Sequence, residues 1–134
     1  MSLPFCITIE PNVEEINRVN SEIFEHLRIC GFDDEVTFQT TLCIIEALNN
    51  IVEHTDVDGS TAQNTITIES LFVKNILFIK ISHQAPAYEV VVPSQEDLLA
   101  TSGRGWSIMN NWLDIVSYQH KEGENTLLMV KRPQ

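Results

Sequence analysis

Residues 65–82 read TITIESLFV, then Lys74-Asn75, then ILFIKIS. Each flanking run alternates apolar and polar side chains. An extended chain places alternate residues on opposite faces, and a two-residue break between two such runs leaves an antiparallel hairpin as the natural connection. A hairpin with an apolar face is not stable alone in water and must be extended and covered by the rest of the chain.

The flanking sequence supplies both kinds of element. Pro4 to Glu10 (PFCITIE) alternates and is expected to form a first strand. Pro11 and Asn12 then open a helix, with Glu14 and Glu15 in its first turn, where the dipole favours anions. Val13, Ile16, Val19, Ile23, Leu27 and Cys30 recur at helical spacing, and Gly31 supplies the stop. Asp33 and Asp34 cap a second helix expected to reach about His54, after which Thr55 to Asn64 is a polar connection. Residues His83 to Gly105 show no sustained period beyond a capped turn at Ser94 to Asp97. Trp106, Met109, Trp112 and Leu113 mark one face of a third helix. Ile115 to His120 and Thr126 to Lys131 are expected to be two more strands joined by the turn KEGEN.

That order predicts a two-layer α/β (α+β) sandwich, with a mostly antiparallel sheet covered on one face by about three helices. Its 134 residues suit a single domain, 1–134, with a real core. The net charge of −11 repels phosphate backbones, which argues against direct nucleic-acid binding and suits protein partners. No apolar run approaches the ~20 residues that span a bilayer, and the opening MSLPFCITIE does not read as a signal peptide. Cys6, Cys30 and Cys43 form no CxxC pair and read as reduced, buried thiols of a cytoplasmic protein.

Two stretches carry candidate chemistry. The first is EALNNIVEH, residues 46–54, in the second helix. On a helical wheel Asn50 falls about 40° from Glu46 and Asn49 about 60° to the other side, flanked by Glu53 and His54. Ile44, Ile45, Leu48, Ile51 and Val52 occupy the opposite half. Such a stripe is also what a solvated helix face shows. Two adjacent asparagines, however, cost roughly a kcal/mol of helix propensity. Glutamate and asparagine four apart project side by side, one able to accept a proton and the other to offer an oxygen to a hard cation such as Mg²⁺. Asn49 and His54 stand where they could touch phosphate or water, although for His54 the ordinary role of a helix-end histidine, beside the last carbonyls, is the better reading.

The second stretch, TSGRGWSIMNNW, places Gly103 and Gly105 around Arg104 at the mouth of a helix. Glycines permit close backbone approach, the helix N-terminus offers free N–H groups, and guanidinium suits phosphate oxygens. A turn of this composition also serves simply to reverse the chain. Trp106 and Trp112 read as core or interface aromatics.

Taken together, EALNN, the hairpin, the long connection and GRGWSIMNNWLDIVSY resemble the anti-sigma-factor serine protein kinases of the GHKL (Bergerat-fold) ATPase superfamily. The resemblance covers nearly the whole chain in element order. It implies that Glu46 is the general base and Asn50 the ligand of an Mg²⁺ that bridges ATP phosphates. It further implies that Gly103, Arg104 and Gly105, with Trp106 beside them, hold the nucleotide phosphates, and that residues 83–102 form a lid. Partners implied are a STAS-type anti-anti-sigma protein, whose serine receives the γ-phosphoryl group, and a sigma factor, with the kinase as a homodimer. One motif departs from the pattern. The family carries D-x-G-x-G after the hairpin, its aspartate accepting from the adenine amino group. Here ISHQAPAY puts His83 at the aspartate position and Ala85 at the first glycine. The departure opens an alternative, a non-catalytic partner-binding module of the same fold that no longer binds ATP.

Overall fold

The computed structural model describes residues 3–58, 65–84 and 111–132, with the backbone alone at Leu3 and from residue 53 to 58. Strand β1 (Leu3–Ile9) leads into α1 (Val13–Ile29) and α2 (Asp34–Asp58). Strands β2 (Ile66–Val73) and β3 (Ile76–Gln84) follow, and β4 (Ile115–Lys121) and β5 (Glu124–Lys131) close the chain. The five strands form one antiparallel sheet in the order β1-β2-β3-β5-β4. The expected α+β architecture is thus the observed one. Two long helices are described, and of the expected third helix Asn111, Trp112 and Leu113 fall among the described residues: Asn111 and Trp112 are helical, while Leu113, expected on the helix face, is buried but lies outside it.

Local chemistry sets most of the boundaries. The Asn12 side chain accepts from the Glu15 amide at 2.8 Å and starts α1. Gly31, at φ +95°, turns the chain out of it, and the Phe32 amide reaches back to the Leu27 carbonyl. Asp33 caps α2 by accepting from the Val36 amide at 2.8 Å, while Asp34 is already helical. Lys74 and Asn75 both have positive φ (52° and 63°), the mirror-image turn that a two-residue hairpin needs.

Three expectations need correction. α2 runs to Asp58, past His54, because no glycine or proline interrupts the sequence before Gly59. The second hairpin does not turn through five residues: β5 begins at Glu124, and Glu122 and Gly123, at φ 56° and 79°, make another two-residue turn. Of the cysteines only Cys43 is buried; Cys6 is exposed and Cys30 half-buried. Cys6 alternates with Phe5 and Ile7 along β1, which puts it on the uncovered face of the sheet.

The core lies between the sheet and the helices. Ile16, Val19, Ile23 and Leu27 from α1 and Cys43, Ile44, Ala47, Leu48 and Ile51 from α2 pack with Ile7, Ile9, Ile66, Ile68, Ile79, Ile81, Leu127 and Met129 from the strands. At about 1.5–3 kcal/mol for each fully buried aliphatic side chain, this layer is the main favourable term of the fold. The opposite face of the sheet carries Thr8, Thr67, Glu69, Lys80 and Gln119. With α1 and α2 on one face of the sheet, β3 points its alternate side chains, Ile79, Ile81 and then His83, into the interlayer space.

Candidate functional site

The middle of α2 is pinned to the sheet by its apolar stripe, and the orientation of its polar stripe follows. With Ile44, Leu48 and Ile51 facing the core, Glu46 and Asn50 lie on the helix flank and Asn49 points to water. Glu46 and Asn50 are half-buried one turn apart, whereas Asn49 is exposed. The stripe is therefore not uniformly wet. The two residues expected to carry chemistry are the two partly withdrawn from solvent, offering carboxylate and carboxamide oxygens side by side. His54 lies within α2, but its side chain is outside the described residues, as are Gly103, Arg104, Gly105 and Trp106.

His83 sits near the end of β3, 4% exposed, on the side of the sheet that α2 covers. Pairing of β3 with β5 puts it opposite Asn125, and pairing of β4 with β5 puts His120 opposite the same asparagine. Asn125 is 1% exposed and is the hub of a polar cluster. Its Oδ1 accepts from the Tyr118 hydroxyl and lies 2.8 Å from His120 Nδ1, and its Nδ2 lies 3.4 Å from His83 Nε2. Buried polar groups of this kind must be mutually satisfied, because each unpaired one costs about 1–3 kcal/mol. Sequence reasoning missed Asn125 and Tyr118; it placed His120 on the surface, where the structure has it, but missed its contact with Asn125. The available signal was an asparagine at an inward position of the alternating strand ENTLLMVK.

At the other end of β5 the chain that follows the Gly103–Gly105 segment is tied back to the fold. The Trp112 indole donates to Thr40 Oγ1 on α2 at 3.3 Å. Lys131 Nζ donates to the Trp112 carbonyl at 2.7 Å and stands 4.0 Å from the Trp112 ring centroid. Trp112, read from sequence as a core aromatic, packs partly buried against the core.

Titration behaviour follows burial. The Cys43 thiol, one helical turn before Glu46, is pushed up to about 11 by burial, with Lys131 pulling it down and the Glu46 charge pushing it up. His26, expected at the surface, is half-buried with its ring stacked on Phe5 at 4.8 Å, and burial holds it below its ordinary value.

Residues 9–131 match the histidine kinase-like ATPase domain family from the first strand to the last. The chain belongs to that family. Among characterised relatives, this ATPase-type domain is 29% identical over 98 residues to the serine/threonine-protein kinase BtrW of Bordetella bronchiseptica, an overlap of 69% of this chain and 68% of that protein. Its fold is shared with the crystal structure of the RsbU and RsbW domains of a Mycobacterium tuberculosis protein, at a TM-score of 0.69 and 14% identity. That match covers 98% of this chain and 32% of the other, so the chain spans about a third of that protein. The family match, the BtrW similarity and the shared fold agree with the resemblance of the sequence to anti-sigma-factor kinases of the GHKL superfamily. Among the described residues, no helix of this ATPase-type domain is long and apolar enough to cross a membrane.

Proposed function

We propose that the protein is an anti-sigma regulatory factor with serine/threonine protein kinase activity. In this reading it uses ATP and Mg²⁺ to phosphorylate a serine of a STAS-type anti-anti-sigma protein, within a partner-switching pathway that regulates transcription through a sigma factor. The observation that supports it most is the placement of Glu46 and Asn50, one turn apart and half-buried on the helix that packs across the sheet, in a histidine kinase-like ATPase domain. The similarity to a serine/threonine kinase points the same way.

The donor set fits the groups this function requires. An asparagine carboxamide and a neighbouring carboxylate are hard oxygen donors of the kind Mg²⁺ accepts while keeping several waters. Magnesium, when bound, would neutralise charge on the nucleotide phosphates. Asn50 would hold and orient that ion. Glu46 would take the serine proton as the hydroxyl oxygen bonds the γ-phosphorus and the bond to the β,γ-bridging oxygen breaks. Gly103, Arg104 and Gly105 would cradle phosphate oxygens with backbone amides and a guanidinium. His83 would meet the base, and Trp106, Asn49 and His54 would line the same cleft.

A second reading is favoured by one observation. His83 is buried in a hydrogen-bonded cluster at the position where the family's aspartate is expected. A module of this fold that sequesters a partner without binding ATP would be free to accept that change. Calorimetry with Mg-ATP and phosphotransfer from γ-labelled ATP to the STAS-type partner separate the two. Micromolar binding together with transfer that disappears in Glu46→Ala supports the kinase. Neither binding nor transfer supports the module.

A further inference from the structure

The face of the sheet opposite α1 and α2 is banded rather than uniformly polar. Strand pairing aligns Pro4, Leu71, Phe78, Val130 and Ile115 in one row that crosses all five strands. Phe78 and Val130 alternate with Ile79 and Met129 of the core, which places the row on the open side. Val73 and Ile76, paired on one side of the row, and Leu128 on the other widen it into a band. Leu71 is 39% and Ile115 53% exposed. A continuous apolar band of this kind on a soluble surface marks an interaction site.

Charge selects what covers it. The chain has 19 acidic and 8 basic residues, yet the strand positions of this face balance, with Glu69 and Glu124 against Lys80 and Lys121. Glu69 and Lys80 are cross-strand neighbours 4.0 Å apart in the row beside the band. A net charge of −11 drives two copies apart, whereas this face meets itself without like-charge repulsion. A two-fold interface sets the same patch against itself and needs that compatibility. Five strands of this length make a face of roughly 600 Å², so two of them bury about 1,200 Å², the lower end of a stable specific interface.

We propose that the chain forms a two-fold dimer by packing the open faces of two sheets, with Leu71, Phe78 and Ile115 in the contact. Faces packed this way interdigitate their side chains about 10 Å apart. Cys6, on the edge strand β1, lies at the rim. α1 and α2 lie on the outside, so the flank of α2 with Glu46 and Asn50 stays clear of the interface. The inference goes beyond the kinase reading and stands without it.

The test is the mass of the full chain by sedimentation across micromolar concentrations, expected at twice the 15.2 kDa of one copy. Leu71→Glu and Ile115→Glu change exposed positions and should each weaken the dimer at least about tenfold, because a charge must leave water to enter the band. Phe38→Glu, at an exposed position of α2, should leave it intact. In the wild-type protein, filtered NOEs between labelled and unlabelled copies should connect the Leu71 and Ile115 methyls across the dimer, a readout that needs no variant to fold. A monomeric wild type overturns the proposal, as does a dimer without those NOEs or one that survives both sheet changes. A monomeric wild type whose binding to the STAS-type partner is lost in Leu71→Glu assigns the face to that partner instead.

Discussion

Replacing Lys131 with methionine isolates the contact that ties the end of the Gly103–Trp112 stretch to the sheet. Methionine keeps most of the apolar stem and removes the ammonium. Two interactions disappear, the 2.7 Å hydrogen bond to the Trp112 carbonyl and the cation–π contact 4.0 Å from the indole centroid. A hydrogen bond to a charged group contributes about 1.5–3 kcal/mol, and the lower end applies because Lys131 is only half-buried and water can replace it in part. The cation–π contact adds about 0.5–1 kcal/mol at such a site. The sum is roughly 2–2.5 kcal/mol. For a domain of this length each kcal/mol corresponds to about 3 °C, so Tm should fall by about 6–8 °C. Differential scanning calorimetry measures this directly. The Trp112 emission, read in a Trp106→Phe background, should shift as the indole loses its cationic neighbour. A Tm change under about 2 °C with unchanged emission would refute the reasoning, because it would mean that Lys131 moves freely in solvent.

Other expectations follow from burial and hydrogen bonding. Thr41 buries its hydroxyl with no partner among the described residues, so Thr41→Val should stabilise the fold by about 1 kcal/mol in urea titration; destabilisation would reveal a partner for that hydroxyl. Burial lowers the pKa of His26 in the folded chain from its ordinary 6.5, so the unfolded chain binds the proton more readily. Stability should be full above that value and decline as pH falls below it, and His26→Leu should flatten the decline. Cys43, with its thiol raised to about 11 by burial, should resist iodoacetamide at pH 8 while exposed Cys6 reacts, as peptide mass spectrometry would show. Equal labelling of the two would count against the packing of α2 on the sheet.

Much of this fold was legible because it is written in local chemistry. The alternation on both sides of Lys74-Asn75, the Asn12 and Asp33 caps and the glycine at residue 31 each act within a few residues, and each appears in the structure as expected. Judgements that depended on weak local signals were less accurate. Thr55 to Asp58 have the composition of a turn, yet α2 continues through them, because polarity alone does not end a helix. Glu122 is an unusual residue for positive φ, so the tight second turn was hidden inside KEGEN.

The candidate site divides the same way. Glu46 and Asn50 could be paired from their spacing on one helix. The Asn125 cluster could not, because it depends on β5 lying between β3 and β4, a strand order that reverses the sequence order. His83 and Asn125 are 42 residues apart in the chain and meet only through that register. The Lys131 and Trp112 contact follows instead from the pairing of β4 with β5, which brings the chain just before β4 beside the end of β5.

The most direct test of the account is phosphoryl transfer. γ-Labelled ATP, supplied with Mg²⁺ and the STAS-type partner, is followed for the wild-type chain and for Glu46→Gln. The account predicts label on a partner serine with the wild-type protein and a loss of at least about a hundredfold in rate with Glu46→Gln, the scale of a general base. Equal rates in the two proteins, or no transfer from the nucleotide while the partner still binds, would contradict it.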